Sequence, residues 1–148
     1  MAKNNSSAGD NVKQFPGADK PEEFHIALTK ELLPSGLSKD EKKVWNYIGP
    51  ELSKGGRLKK LFVDVISEYC RIVVRLADAR KDLDDKDWTY VTTGRHGNQE
   101  KSRPEVAQLN DDWRKWRSLV SELGLSPSAE RHLSKVQGDL FNNDFDKF

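Results

Sequence analysis

The sequence has few of the features on which secreted, membrane-spanning or strongly basic proteins depend. Its 148 residues include one cysteine, Cys70, which excludes an internal disulfide and a cysteine metal cage. No apolar run approaches the roughly 18 residues needed to cross a bilayer, and the N-terminal MAKNNSSAGD lacks the apolar core of a signal peptide. The 25 Lys and Arg residues nearly balance 24 Asp and Glu residues, so the net charge is +1. We expect an intracellular, reduced protein that binds no membrane and that contacts nucleic acid through local patches or through many copies joined together.

The motifs of several enzyme classes are also missing. The chain contains no G-x-x-x-x-G-K-[ST], no G-x-G-x-x-G and no H-E-x-x-H. The three histidines, His25, His96 and His132, fall in separate segments, and a solvated turn explains His96 better than a nuclease site does. The acids of residues 82–87 alternate with Lys and Leu and indicate a solvated helix end rather than a metal site. We therefore expect no catalytic residues, no metal and no cofactor.

Helical periodicity is concentrated in residues 38–133, between two predicted flexible segments, 1–37 and 134–148. Ser38 and Glu41 have the spacing of a capping box. Pro50 predicts that the first helix ends near Ile48, with a kink at Gly49-Pro50 and a short turn that stops at Gly55-Gly56. Within the N-terminal segment, several apolar residues could instead dock on the body as a short element: Phe24, Ile26, Leu28, Leu32 and Leu33. The fold class expected from these patterns is mainly α.

The longest periodic stretch predicts a helix over residues 58–86, roughly 43 Å long. It carries two apolar stripes, and such a helix needs partners on two sides. Two interpretations stay open: the helix is the core of a monomeric bundle, or its stripes and those of a later helix mediate oligomerisation. The residues expected at an interface between copies are Phe62, Val65, Tyr69, Ile72, Leu76, Trp113 and Trp116.

The segment after the long helix predicts a small β-hairpin. Residues 88–93 are β-branched and aromatic, Gly94 and Gly97 bracket a turn, and the returning segment is wholly polar. Pro104 then opens another helix, because its missing N–H costs nothing at that position. Gly124 is expected to end this helix, and Ser126 is expected to start a short last one that reaches about Leu133.

Two groups of basic residues are candidates for DNA contact. The first places four positive charges within seven residues, and the second lines the expected hairpin. Ordinary solvated charge is the alternative interpretation for both groups. The candidate DNA-binding residues are Lys54, Arg57, Lys59, Lys60, Arg95, Lys101 and Arg103.

The order of these elements resembles that of the small subunit of phage terminases, from about Pro34 to Leu133. The residues that carry the resemblance are Leu37-Ser38-Lys39, Trp45, Pro50-x-Leu52, Leu58, Tyr69-Cys70, the Thr-rich turn at 91–97 and the segment Leu123-Gly124-Leu125-Ser126-Pro127-Ser128-Ala129-Glu130-Arg131. The last segment is similar to the L-G-L-T-P-x-x-R ending of that family. The chain departs from the family at Ser102-Arg103-Pro104, where many relatives have an Asn-Pro pair.

The resemblance implies a non-enzymatic subunit that forms a homo-oligomeric ring in the host bacterial cytoplasm. Its implied partners are double-stranded phage DNA and the large terminase subunit, which carries the ATPase and nuclease for viral genome packaging. The alternatives are a dimeric helical DNA-binding transcriptional regulator and a structural adaptor without DNA contact.

The C-terminal tail has three aromatic residues at helical spacing among acids: Phe141, Phe145 and Phe148. We expect these rings to bind a groove of the large subunit. The alternative is that they fold back on the same chain or on a neighbouring copy.

Overall fold

The computed structural model describes residues 19–132 and confirms a mainly helical chain with a long central helix and a two-stranded hairpin. Residues 127–132 are helical, and Ser126 Oγ accepts a hydrogen bond from Ala129 N at 3.2 Å, as expected of the cap of this helix. Within the described residues, no helix is long and apolar enough to cross a membrane. The elements are α1 (Glu22–Glu31), α2 (Lys39–Lys54), a 3-10 turn (Lys60–Phe62), α3 (Val63–Lys86), β1 (Thr89–Gly94), β2 (Gly97–Ser102) and α4 (Pro104–Glu122).

Helix α2 begins as predicted but ends later than predicted. Ser38 and Glu41 form both bonds of the capping box, at 2.7 and 3.3 Å. The expected end at Ile48 is wrong, because α2 continues through Pro50 to Lys54. Beyond the proline, Leu52 is fully buried in the core. Burying such a side chain contributes about 1.5–3 kcal/mol, which offsets the hydrogen bond that the proline removes.

Helix α1 lies inside the segment that the sequence assigned to a flexible N-terminus. From Glu22 onward the structure has a helix that packs against α2, with His25 and Thr29 buried between the two helices. Polar contacts fix the pair: His25 Nδ1 lies 2.7 Å from Ser53 Oγ, and Trp45 Nε1 donates to Thr29 O at 2.9 Å. The two helices approach closely at Gly49, where an added Cβ would lie 2.3 Å from Thr29 Cγ2.

The alternative that the apolar residues of this segment dock on the body is confirmed in part. Leu28, Leu32 and Leu33 pack against the main core cluster. Phe24 and Ile26 stay exposed on α1. The apolar residues near the helix end therefore anchor α1, and those near its start do not.

Helix α3 starts later than the predicted Leu58, after the 3-10 turn, and ends at Lys86 as predicted. Its 24 residues span about 36 Å. Ile66 and Cys70 face one core cluster, together with Trp45 and Leu52 of α2. Further along, three buried residues of α3 form a second cluster with Leu109 of α4: Ile72, Leu76 and Leu83.

Helix α4 is tied to α3 by charge as well as by apolar contacts. Arg75 Nε lies 3.1 Å from Asp112 Oδ2, and Arg75 Nη2 lies 2.5 Å from Asp112 Oδ1. Asp112 is buried, so this two-point contact neutralises a carboxylate that would otherwise be costly to desolvate. Gly124, with φ 64°, follows the end of α4 and forms the predicted glycine cap.

The hairpin is confirmed, and its antiparallel register runs from Thr89 opposite Ser102 to Gly94 opposite Gly97. None of its strand residues is buried. Its attachment is at the base, where Arg103 Nε donates to the carbonyls of Lys86 at 3.1 Å and Asp87 at 2.8 Å. The hairpin thus projects from the C-terminal end of α3.

Candidate nucleic-acid interface

The seven predicted DNA-contact residues divide into two groups at opposite ends of α3. Residues 54–60 precede α3, and residues 95–103 follow it in the hairpin and its base. The intervening helix is about 36 Å long. The two groups therefore form separate surfaces of the chain.

Two members of the first group are engaged within the chain. Lys54 Nζ lies 2.9 Å from Glu22 Oε2 and 2.8 Å from Glu51 Oε1. Hydrogen bonds to Glu51, and then to Glu22, raise the pKa of Lys54. These acids cancel part of the positive field that Lys54 would present to a phosphate.

Arg57 has a structural contact that the sequence did not indicate. Its Nη1 donates to Leu123 O at 2.8 Å and to Gly124 O at 2.7 Å. These carbonyls close the end of α4, where backbone acceptors have no partner within the helix. The guanidinium also lies over Gly55, where an added Cβ would be 2.7 Å from Nη2. Arg57 is therefore a clamp between the start of α3 and the end of α4.

Lys59 and Lys60 are the open cations of the first group. Both side chains are exposed, and neither forms an ion pair with another residue between 19 and 132. They lie at the start of the 3-10 turn that leads into α3. This pair can approach a phosphate without breaking a contact seen in the fold.

In the second group, Arg95 and Lys101 are exposed and Arg103 is engaged. Arg95 lies in the two-residue loop at the hairpin tip, and Lys101 lies opposite Tyr90. Besides its bonds to the end of α3, Arg103 places its guanidinium carbon 5.9 Å from the centre of the Tyr90 ring. Arg103 thus orients the hairpin, while the other two cations remain available.

The predicted oligomerisation residues occupy three kinds of environment. Ile72 and Leu76 are 1% and 3% exposed and pack against α4 of the same chain. Val65 and Tyr69 are half-buried beside the first core cluster, and burial raises the pKa of Tyr69. Phe62 remains exposed. Both stripes of α3 therefore have partners within the chain over part of their length.

The two predicted tryptophans form a pair on α4. The rings of Trp113 and Trp116 stack with centroids 4.8 Å apart, and the guanidinium carbon of Arg80 lies 5.4 Å from the Trp113 ring centroid. Trp113 is 39% exposed, whereas Trp116 packs against the second core cluster. Trp113 is therefore the outer member of the pair.

The structure also exposes two large side chains that the sequence reasoning did not select. Leu61 and Tyr47 are each 83% exposed. Leu61 is adjacent to Phe62 in the 3-10 turn, so an apolar pair projects beside Lys59 and Lys60. The sequence did carry one signal for this exposure, because Leu61 lies outside the apolar stripe that contains Phe62. The predicted partner-binding residues Phe141, Phe145 and Phe148 lie outside the described residues.

Two observations concern the metal-binding and nucleophilic groups of residues 19–132. No cluster of His, Cys, Asp and Glu there could hold a metal ion. Cys70 is buried, and burial raises the pKa of its thiol to about 12. A thiol with that pKa is almost wholly protonated at neutral pH and is a poor nucleophile.

Comparison with known proteins bears on what these surfaces do. Curated proteins and solved structures gave no match to this chain. The family model described as "Phage terminase, small subunit" matches residues 42–139, which are 98 of the 148 residues. The match covers α2 from its fourth residue onward, α3, the hairpin and α4, and it includes both basic groups. The chain belongs to the phage terminase small subunit family and has a role in phage DNA packaging.

Proposed function

We propose that this chain recognises viral DNA for packaging and recruits or regulates the large terminase subunit, without catalysing a reaction itself. Membership of the small-subunit family carries the proposal. The exposed cations Lys59, Lys60, Arg95 and Lys101 support it, because they leave two positive surfaces open to a polyanion.

The contribution of the first basic group can be tested by a salt titration of DNA binding. Replacing Lys59 and Lys60 by Ala should weaken binding and lower the salt slope by about 1.8, since each neutralised phosphate contributes about 0.9. Lys115→Ala is the matched control, because Lys115 is exposed but paired with Asp111 at 2.7 Å. An unchanged slope in the double variant would remove this surface from the proposal.

Self-association is the second part of the proposal, and the apolar pair Leu61 and Phe62 is its best candidate surface. Both side chains are exposed, so Leu61→Asp and Phe62→Asp should leave the fold intact. Native mass spectrometry should show a closed oligomer for the wild type and smaller species for these variants. A wild-type dimer that binds DNA would instead favour a transcriptional regulator, and a wild-type monomer would contradict self-association. A protein without DNA binding would be a structural adaptor.

Recruitment of the large subunit is proposed to depend on residues 134–148. The acids near Phe141, Phe145 and Phe148 make this segment a poor DNA ligand. Deletion of residues 138–148 should preserve oligomer mass and DNA affinity while abolishing stimulation of the large subunit's ATPase. Full stimulation by the truncated protein would contradict this assignment, and loss of the oligomer would favour the fold-back alternative.

A further inference from the structure

The hairpin has the shape of a free two-stranded ribbon. Each strand has six residues, which gives a length of about 20 Å. An isolated hairpin of this size has little stability of its own in water, yet this one is anchored through Arg103 to the carbonyls at the end of α3. The anchor fixes the direction in which the ribbon projects.

The two faces of the ribbon differ in their chemistry. On one face Thr89 Oγ1 donates to Glu100 Oε1 at 2.6 Å, and Thr93 Oγ1 donates to Asn98 Oδ1 at 3.0 Å. That face contains the one acid of the two strands and the exposed Val91, and its Thr, Asn and Glu side chains bond to one another. Its polar groups are largely satisfied within the hairpin.

The opposite face is formed by two cross-strand pairs, Tyr90 with Lys101 and Thr92 with Gln99. We call it the acid-free face. Thr92 Oγ1 bonds to the backbone of Gln99 at 3.3 Å, but the Gln99 amide and the Lys101 ammonium have no side-chain partner in the part of the chain that the structure describes. Arg103 adds its charge at the base of this face, beside Tyr90.

We infer that the acid-free face enters the major groove of duplex DNA, where Gln99 and Lys101 contact base edges and Arg95 at the tip contacts phosphate. The inference rests on the proposed DNA-recognition function and names the element that reads sequence. The major groove is about 12 Å wide and admits a two-stranded ribbon. An amide can bond an adenine edge at two points and a lysine can donate to guanine, which is the chemistry of this face.

A second copy of the chain fits the acid-free face less well. Burying Gln99 and Lys101 against protein would remove a polar amide and a charge from water without a described partner. The strands place one aromatic side chain on this face, Tyr90, and the Arg103 guanidinium carbon lies 5.9 Å from the centre of that ring. DNA instead supplies hydrogen-bond acceptors for the donors of Gln99 and Lys101, and its negative potential favours the charges of Lys101 and Arg103.

The test starts with the full-length protein and a selection from a random 20-bp duplex library. Affinity is then measured for the selected duplex and for a scrambled duplex of equal composition. Gln99→Ala should lower the ratio of selected to scrambled affinity about 5- to 160-fold, the range expected from loss of one bidentate base contact. Thr93→Ala, on the opposite face of the same ribbon, is the matched control and should leave the ratio within about twofold.

Lys101→Ala and a groove-specific probe complete the test. Lys101→Ala should also lower the ratio, and methylation of guanine N7, which lies in the major groove, should block binding at the selected positions. The inference is overturned if Thr93→Ala lowers the affinity ratio as much as Gln99→Ala does, or if guanine N7 methylation has no effect on binding. It is also overturned if Gln99→Ala reduces the mass of the native oligomer, because that result would place the face between copies. Tight binding without sequence preference overturns only the role of the hairpin in reading sequence. Absence of any DNA binding overturns the proposed function as well.

Discussion

The two ends of α3 have opposite construction. At its N-terminal end, α1, α2 and the segment after α4 enclose a core that includes Trp45, Leu52 and Leu123. At its C-terminal end, the hairpin projects without a single buried strand residue. One end therefore depends on packing, while the other depends on strand pairing and a polar anchor. At the packed end, the side chains of Lys54 and Arg57 bond to other groups of the chain, whereas the Lys101 side chain on the hairpin strands bonds to none between residues 19 and 132.

An arginine is found at each end, and the comparison shows how context sets its role. Arg57 donates to the carbonyls that follow α4, and Arg103 donates to the carbonyls that end α3. Arg57 and its two acceptors are separated by 66 and 67 positions in the sequence, so this contact joins distant parts of the core region. Arg103 and its two acceptors are separated by only 17 and 16 positions, and this contact holds the projecting hairpin. We expect only the first to contribute strongly to global stability.

The largest expected effect is at the packed end, from Trp45→Ala. Trp45 is 0% exposed and donates to Thr29 O, so truncation removes a large buried side chain and leaves a cavity. The free energy of unfolding should fall by about 3–5 kcal/mol in urea denaturation. Tyr47→Ala, two residues away and exposed, should change it by less than about 0.5 kcal/mol. Equal effects from the two variants would contradict the described packing of α2.

The next effect is expected from Arg57→Ala. Removing the guanidinium leaves the carbonyls of Leu123 and Gly124 without their donor, which should cost about 1–3 kcal/mol of unfolding free energy. Denaturant midpoints would measure the loss, and Lys59→Ala is the control for loss of charge alone. If Arg57→Ala keeps full stability but loses DNA affinity, Arg57 is a DNA contact and not a clamp.

A smaller and local effect is expected from Arg103→Ala. The hairpin contributes no buried strand residue, so the global free energy of unfolding should change by less than about 0.5 kcal/mol. Hydrogen exchange should nevertheless become faster at the paired amides of β1 and β2, because the base of the hairpin is released. Unchanged exchange would show that strand pairing alone fixes the hairpin.

The smallest effect concerns the pH dependence contributed by Cys70. Burial holds the thiol pKa at about 12 in the folded chain against 9.0 as its ordinary value. The unfolded thiol therefore loses its proton first as pH rises, so this residue destabilises the fold progressively above about pH 9. From pH 8 to pH 9 the loss should be about 0.4 kcal/mol.

The control for this prediction is Cys70→Ala, compared by its pH dependence and not by its absolute stability. The variant should lose less unfolding free energy than the wild type over the same pH interval. The native thiol should also react slowly with an aromatic disulfide reagent until denaturant is added. Rapid reaction under native conditions would contradict the burial of Cys70.

Local signals in the sequence predicted the boundaries that depend on local chemistry. Ser38 with Glu41, the glycines of the hairpin and Pro104 each specify a backbone conformation through their own atoms. The end of α2 was not predictable in this way. Burial of Leu52 against residues distant in sequence offsets the hydrogen bond that Pro50 removes, so the helix continues past the proline. Packing of the α1 segment was predicted only as an alternative to a flexible terminus, because the fully buried positions of α1 are the polar residues His25 and Thr29.

The candidate site was predictable as a set of charges but not as a surface. Sequence spacing grouped Lys54 and Arg57 with Lys59 and Lys60, yet only the fold shows that the first two are engaged. The two faces of the hairpin also follow from the register, which sets Glu100 apart from Gln99 and Lys101. Side-chain partners are long-range information, and charge counting cannot supply them.

The contact between Arg57 and the end of α4 has a consequence for how the chain is made. Leu123 belongs to the same core cluster as Leu37 and Trp45, so that cluster is incomplete until residue 123 has left the ribosome. During synthesis, the Arg57 contact also forms only after Leu123, 66 residues downstream, has been added. Because distant contacts form only after their loop entropy is overcome, we expect the nascent chain to stay open to chaperones until translation has passed α4.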